Sequence, residues 1–551
     1  MTMTRDRQCL TFGMTAAILA ISVASGQAAD DRFSTGSSDP LIEYIDGQIR
    51  TGWVDNEIEP SAVADDSEWL RRVYLDLVGH IPDVETITAF LEDKDPAKRS
   101  KMVDRLLDDP DYVRNMTTVW ANLLLGRNTP DRTSRPGMEK FLRESFARNR
   151  PWNEIVFDLL TAEGHYEENG AVNFLLGQLD GNPNREDYTV EATARATRLL
   201  LGMQVQCTQC HNHPFNDWQQ AQFWEFDSFF KQIVRNDVDR YDPESGRMVD
   251  DYSELVWRDF EGPVFYETRA AEMKVSYPAY FGTEVAFDSG TNRRLEFARL
   301  VCREDPNNQL ARAFVNRMWG HFFGYGFTRP VDDMGPHNAP SHPELLDRLA
   351  EEFTESGYDI KQLARWICNT EAYNLTSRFN ANNEIDKPSA GEVPLFSHMY
   401  VKTLTAEQLY DSLIIATGAH QAGQSGYEQA QEQRERWLQE FLRIFGGNDE
   451  DEPTLFSGSI PQALMMMNGE LVQKAVSAEK GSYLNTILTN KQLRSDNARL
   501  QQIYLAALGR IPTRSEIGPL SQFVRRHPDK LAAYQDIYWA LLNSNEFVVN
   551  H

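Results

Sequence analysis

The chain has 551 residues, 41% of them hydrophobic, and a formal net charge of −27 from 82 acidic against 55 basic side chains. That length allows two or three domains and a sizeable core. So acidic a surface repels nucleic acid and anionic lipid and excludes both as broad-surface partners.

The first element is a leader. Arg5 and Arg7 precede an apolar run from Leu10 to Val23, and small residues Gly26 and Ala28 follow. This pattern predicts a signal peptide over residues 1–28 and an exported chain, periplasmic or extracellular. The run is shorter than the ~20 apolar residues of a spanning helix. No later segment is apolar enough either, so no integral membrane span is expected after cleavage. Loss of the leader removes Cys9 and leaves Cys207, Cys210, Cys302 and Cys368. These are too few for a disulfide framework in so long a chain. Cys302 and Cys368 read either as one disulfide or as two buried thiols.

Residues 29–235 read as an N-terminal helical domain. In "DSEWLRRVYLDLVG" the positions Leu70, Val73, Tyr74 and Leu77 form one apolar helical face. "DVETITAFLED", "KRSKMVDRLLDD" and "TVEATARATRLLLGMQ" continue the pattern, the last ending near Gly202. Residues 236–292, rich in Asp, Tyr, Gly and Pro, predict a small β-containing insert, with "GPVFYETR" and "EMKVSYPAYF" as strands. Residues 293–551 return to helix in "PNNQLARAFVNRMWGHFFG", "HPELLDRLAEEFTESG" and "TAEQLYDSLIIATG". The expected fold is mainly α, two multihelical domains with a small β-containing insert between them.

The two ends echo each other. "YLDLVGHIP" (Tyr74–Pro82) matches "YLAALGRIP" (Tyr504–Pro512), and "LLDDPDYVRN" (Leu106–Asn115) matches "LLNSNEFVVN" (Leu541–Asn550) in the same order. Gly79 and Gly509 suit a helix C-cap, and the proline that follows each cannot continue a helix. Two related helical modules that pack together and close the molecule are expected.

One stretch carries chemistry, "VQCTQCHNHPF". Cys207, Cys210 and His211 spell C-x-x-C-H. Two thiols at this spacing reach the two vinyl groups of haem, and the adjoining imidazole ligates the iron. Pro214 disfavours a helix through the motif, which therefore sits on a loop after the helix ending near Met203. The residues leave two other chemistries open: a zinc or other metal site using the thiols with His211 and His213, and a structural or redox-active dithiol. A sixth iron ligand is not evident. His321, Met334, His337 and His342 are the candidates, and His213 is too near in sequence to reach the opposite face.

Together these stretches resemble a family of secreted bacterial proteins, abundant in planctomycetes, that pairs domains of unknown function 1549 and 1553. "RRVYLDLVGHIP" and "LLLGMQVQCTQCHNHPFNDWQQAQFWEFDSFF" are similar to the first; "ARAFVNRMWGHFFGYGFTRPVDDMGPHNAPSHPELLDRLAEEF" and "SIPQALMMMNG" are similar to the second. The resemblance implies export and a redox role and brings no established reaction.

After the motif, Phe223, Phe226 and Phe230 share a helical face beside Trp218 and Trp224, which reads as core or as a wall for a flat ligand. Around "NRMWGHFFGYGFTRPVDDMGPH", His321, Asp333 and His342 are candidate metal ligands alongside His211 and His213. Arg317 and Asp333 are expected to pair, and Ser341 to cap the helix after it. No nucleophile-elbow, Walker or Rossmann pattern is evident. The leading expectation is an exported c-type haem protein serving electron transfer or oxidation of an exported substrate, with an unknown redox partner. A non-redox binding or assembly protein with a zinc or disulfide site, and a metal-dependent hydrolase of polysaccharide, are the alternatives.

Overall fold

The structure, a computed structural model, describes residues 39–551 apart from 180, 181, 184, 186, 215, 216, 425 and 447–458. The expected leader, residues 1–28, lies outside the described residues. The described chain is mainly helical, two multihelical domains with small strands between them. No helix of it is long and apolar enough to cross a membrane.

The first module opens with helix Asp66–Leu77, whose N-terminus is capped by the Asp65 carboxylate accepting from the Ser67 and Glu68 amides. Val84–Glu92, Lys98–Leu107 and Pro110–Leu125 follow. The last module repeats the order with Asp496–Leu508, Arg514–Arg526, Lys530–Leu542 and Asn545–Val548. Gly79 and Gly509, at the matched helix ends, have φ of 79° and 72°, a region that glycine enters without a Cβ penalty. Side-chain contacts repeat as well. His80 lies 6.1 Å from the Tyr74 ring and binds Asp111 at 3.0 Å. Arg510 lies 5.5 Å from the Tyr504 ring and binds Glu546 at 2.5 Å.

The modules dock. Arg71 donates to the backbone oxygens of Phe547 (2.7 Å) and Ala507 (3.4 Å). Strand Val549–Asn550 pairs antiparallel with Lys402–Thr403. Asp76 is the centre of the seam. Lys402 Nζ (2.6 Å) and Asn550 Nδ2 (2.7 Å) donate to its Oδ1, and the Tyr373 hydroxyl donates to Oδ2 at 2.8 Å.

Between the domains, Ile233–Asp242 and Arg247–Trp257 form an antiparallel hairpin that Gly164–His165 extends on its far edge. It starts at Ile233 rather than at residue 236. Val264–Glu267 pairs with Met273–Ser276, and Ala279–Tyr280 with Thr283–Glu284. The core does not break at these strands. One apolar cluster takes Trp120 and Leu159 before them and Phe314 and Ile367 after them; Trp120 and Phe314 stack at 5.6 Å. A second cluster gathers residues from Leu404 to Phe547 with Leu75 and Ile81 of the first module. Cys302 and Cys368 are free and buried, the thiol alternative rather than the disulfide.

Candidate functional site

Helix Val190–Leu201 ends at Gly202, a left-handed cap with φ 65° whose amide donates to Arg198 O. A single 3-10 turn, Gln206–Gln209, follows. Thr208 faces inward, its hydroxyl donating to Val205 O at 2.6 Å. With Thr208 turned in, Cys207 and Cys210 point outward as exposed, free thiols. The motif therefore sits on a loop after the helix, as the position of Pro214 implies.

His211 Nδ1 lies 2.6 Å from Asn212 O. A carbonyl only accepts, so the proton sits on Nδ1 and Nε2 presents a lone pair. Beside the thiols an open groove of about 590 Å³ is lined by Gln209, Cys210, Trp224, Thr268 and Arg269, among others. Trp224 donates to Gln209 O (3.2 Å) and stacks on Tyr266 at 5.6 Å. Phe223, Phe226 and Phe230 are fully buried and belong to the core. Trp224, by contrast, reaches the groove.

The second domain is fastened to the base of this loop. Asp332 accepts from Arg198 Nε at 2.7 Å and Gln204 Nε2 at 2.9 Å, and Arg317 stands 3.8 Å away. These cations hold the Asp332 carboxyl below its ordinary range against the opposing effect of burial. The expected Arg317–Asp333 pair is thus an Arg317–Asp332 pair. Met334 N donates to Gly202 O at 2.7 Å. Asp333 turns the other way, and its Oδ1 lies 3.0 Å from His337 Nε2. The His337 ring lies 5.8 Å from that of His213. Burial lowers the His213 imidazole, with His337 adding to the effect, which favours its neutral form.

Of the residues singled out in the sequence, His211, His213 and Asp333 share this neighbourhood, and His337 joins them. His321 and His342 do not. His321 sits half-buried in the module seam, its Nε2 2.9 Å from Asp76 O and its own carbonyl accepting from Lys402. His342 packs against Phe396 at 5.5 Å, and burial pushes it down to about 4. Itself the N-cap of helix Pro343–Glu355 (no side-chain cap from Ser341 is made), it is enclosed too. The His342 imidazole is enclosed, and that of His321 is engaged by the Asp76 carbonyl. Among the described residues no three His, Cys, Asp or Glu side chains are grouped so as to hold one metal ion. The sequence offered no signal for Asp332 as the fastening residue. Its neighbour Asp333 has the same chemistry, and only the direction of the backbone separates them.

Residues 44–235 match the family model PSCyt2, a protein family of unknown function (DUF1549), and residues 293–524 match PSD1, a protein family of unknown function (DUF1553). No curated protein and no solved structure matches the chain. The two regions meet at the Asp332 contacts beside Cys207 and Cys210, and the chain belongs to the family of proteins that pair a DUF1549 region with a DUF1553 region.

Proposed function

We propose that the protein is an exported c-type haem protein, with Cys207 and Cys210 attaching the porphyrin and His211 ligating the iron. The observation that carries this reading is the disposition of the motif. Two free thiols face outward on either side of an inward Thr208, and the neighbouring imidazole has its Nδ1 occupied and its Nε2 available. A proximal histidine needs that tautomer, since the hydrogen bond on one nitrogen sets the orientation and basicity of the other.

Attachment adds each thiol across one vinyl double bond. A sulfur–carbon bond forms, the thiol proton passes to the other vinyl carbon, and nothing is oxidised. The groove beside Cys210 gives a flat group an apolar contact at Trp224 and a cation at Arg269. When bound, haem supplies one-electron chemistry; this chain's residues hold it, orient it and limit its access to water. The role is electron transfer, or oxidation of an exported substrate.

The test is export in a host with haem-attachment machinery. A Soret band and a haem stain that survives denaturation are expected, and Cys207→Ala with Cys210→Ala abolishes both. A colourless protein from a host that matures a control cytochrome overturns the proposal. In that case zinc on elemental analysis, or a Cys207–Cys210 disulfide on mass mapping, identifies the non-redox alternative.

A further inference from the structure

We infer that His213 and His337, one from each family region, form a binding site for a divalent transition-metal ion, with Asp333 orienting His337 from behind. The inference does not rest on the haem reading, because it uses neither thiol nor His211.

A first-row ion stands about 2.0–2.1 Å from an imidazole nitrogen, hence about 3.2 Å from the ring centre; two such rings put their centres about 5.2 Å apart at a tetrahedral angle and about 6.4 Å apart when opposed. The centres of His213 and His337 are 5.8 Å apart, inside that interval.

The second observation is the Asp333–His337 hydrogen bond of 3.0 Å at Nε2. A carboxylate facing one imidazole nitrogen accepts the hydrogen bond from its N–H, and the lone pair that can meet a metal is then on the other nitrogen. A carboxylate behind a metal-ligating histidine is the commonest such support. The free donor here is Nδ1.

Gly335 supplies a third, independent observation. Its φ lies outside the left-handed region, so the backbone does not require glycine there. A Cβ at this position would stand 2.8 Å from His337 Nδ1 and 2.9 Å from Cε1. The missing side chain keeps clear the space at the nitrogen that Asp333 leaves available. The His337 and Asp333 side chains are 15% and 23% exposed, enough for an ion and its waters to enter. Two imidazoles with water at the remaining positions suit Zn²⁺ and, more tightly, Cu²⁺. Two side-chain ligands are fewer than the four of a closed structural zinc site or the three of an open catalytic one.

The experiment uses the full chain carrying Cys207→Ser and Cys210→Ser, which removes thiolate binding and haem attachment together. It is titrated with Cu²⁺ by calorimetry, and the complex is examined by electron paramagnetic resonance. One equivalent bound with coupling to two nitrogens is expected. His337→Ala and His213→Ala each remove that event. Asp333→Asn weakens it ~10–100-fold, the usual effect of losing such a support. Gly335→Ala weakens it with the circular dichroism unchanged, and it carries the test if a histidine variant fails to fold. Absence of stoichiometric binding, or binding that Gly335→Ala and His337→Ala leave intact, overturns the inference.

Discussion

Lys402→Met isolates the buried charge at the module seam. Lys402 and Asp76 have side chains 6% and 2% exposed and pair at 2.6 Å. The same ammonium donates to the carbonyls of His321 (2.8 Å) and Phe322 (2.7 Å) at the end of helix Gln309–Phe323. Methionine fills much the same volume but strands the Asp76 carboxylate, leaving it only the Tyr373 hydroxyl and the Asn550 amide. Removing one partner of a buried ion pair costs about 3–5 kcal/mol, whereas replacing both is often neutral. The readout is native-state hydrogen exchange at Thr403, Leu404 and Asn550, where the last strand joins Lys402–Thr403. At ~1.4 kcal/mol per decade, protection there falls roughly 10²–10³-fold in Lys402→Met. Adding Asp76→Asn restores most of it. A loss under about tenfold in the single variant, or no recovery in the double, refutes the view that this pair holds the seam.

Acid sensitivity has an identifiable contributor. Burial holds His342 at about 4 against an ordinary 6.5, so the unfolded chain takes up the proton first as pH falls. The stability is fully present above about 6.5 and lost towards 4. It amounts to about 3 kcal/mol. In urea melts across that window, His342→Leu flattens the acid limb but does not abolish it, since burial also lowers His321, His398 and His551; an unchanged limb refutes the assignment. The two matched glycines separate by their surroundings. A left-handed alanine costs roughly 1–2 kcal/mol at either position. At Gly79 the added Cβ also meets Asn115 Oδ1 at 2.5 Å, whereas at Gly509 it meets nothing nearer than 3.9 Å. Gly79→Ala therefore lowers the urea midpoint more than Gly509→Ala does, and equal losses would contradict the packing.

The repeat was legible because its signals are local: a helix, a glycine stop, a proline restart. The burial of helix Asp66–Leu77 was only half legible. Leu70, Val73, Tyr74 and Leu77 announce one inward face, but Arg71 and Arg72 on the other look like solvent residues and are 1% and 0% exposed. Only the Glu68–Arg72 pair (3.0 Å) is local; the other partners lie hundreds of positions downstream, at Ala507, in residues 547–551 and in residues 373–375. The acidic hairpin of Ile233–Asp242 and Arg247–Trp257 carries little strand signal in its sequence, since Asp-rich segments have poor strand propensity. Cross-strand bonds such as Ser253–Asp237 (2.7 Å) support it instead. At the site, C-x-x-C-H is contiguous and plain to read. The approach of His337 to His213 depends on how the loop around Asp332 docks against Arg198 and Gln204, which spacing in one sequence does not encode.

The closing contact between Asn550 and Asp76 spans 474 residues. Synthesis at about 5–20 residues per second takes roughly 25–95 s over that distance, and a chain threaded N-terminus first through an export pore keeps the same order of arrival. Throughout that interval the first module has been made but lacks the strand that completes its seam. Asp76 and Arg71 must stay hydrated, and helix Asp66–Leu77 cannot bury its second face. Final closure is thus set by the arrival of residues 547–550 rather than by the folding speed of the helices already present, and until then the unfinished seam is the surface a chaperone would have to cover.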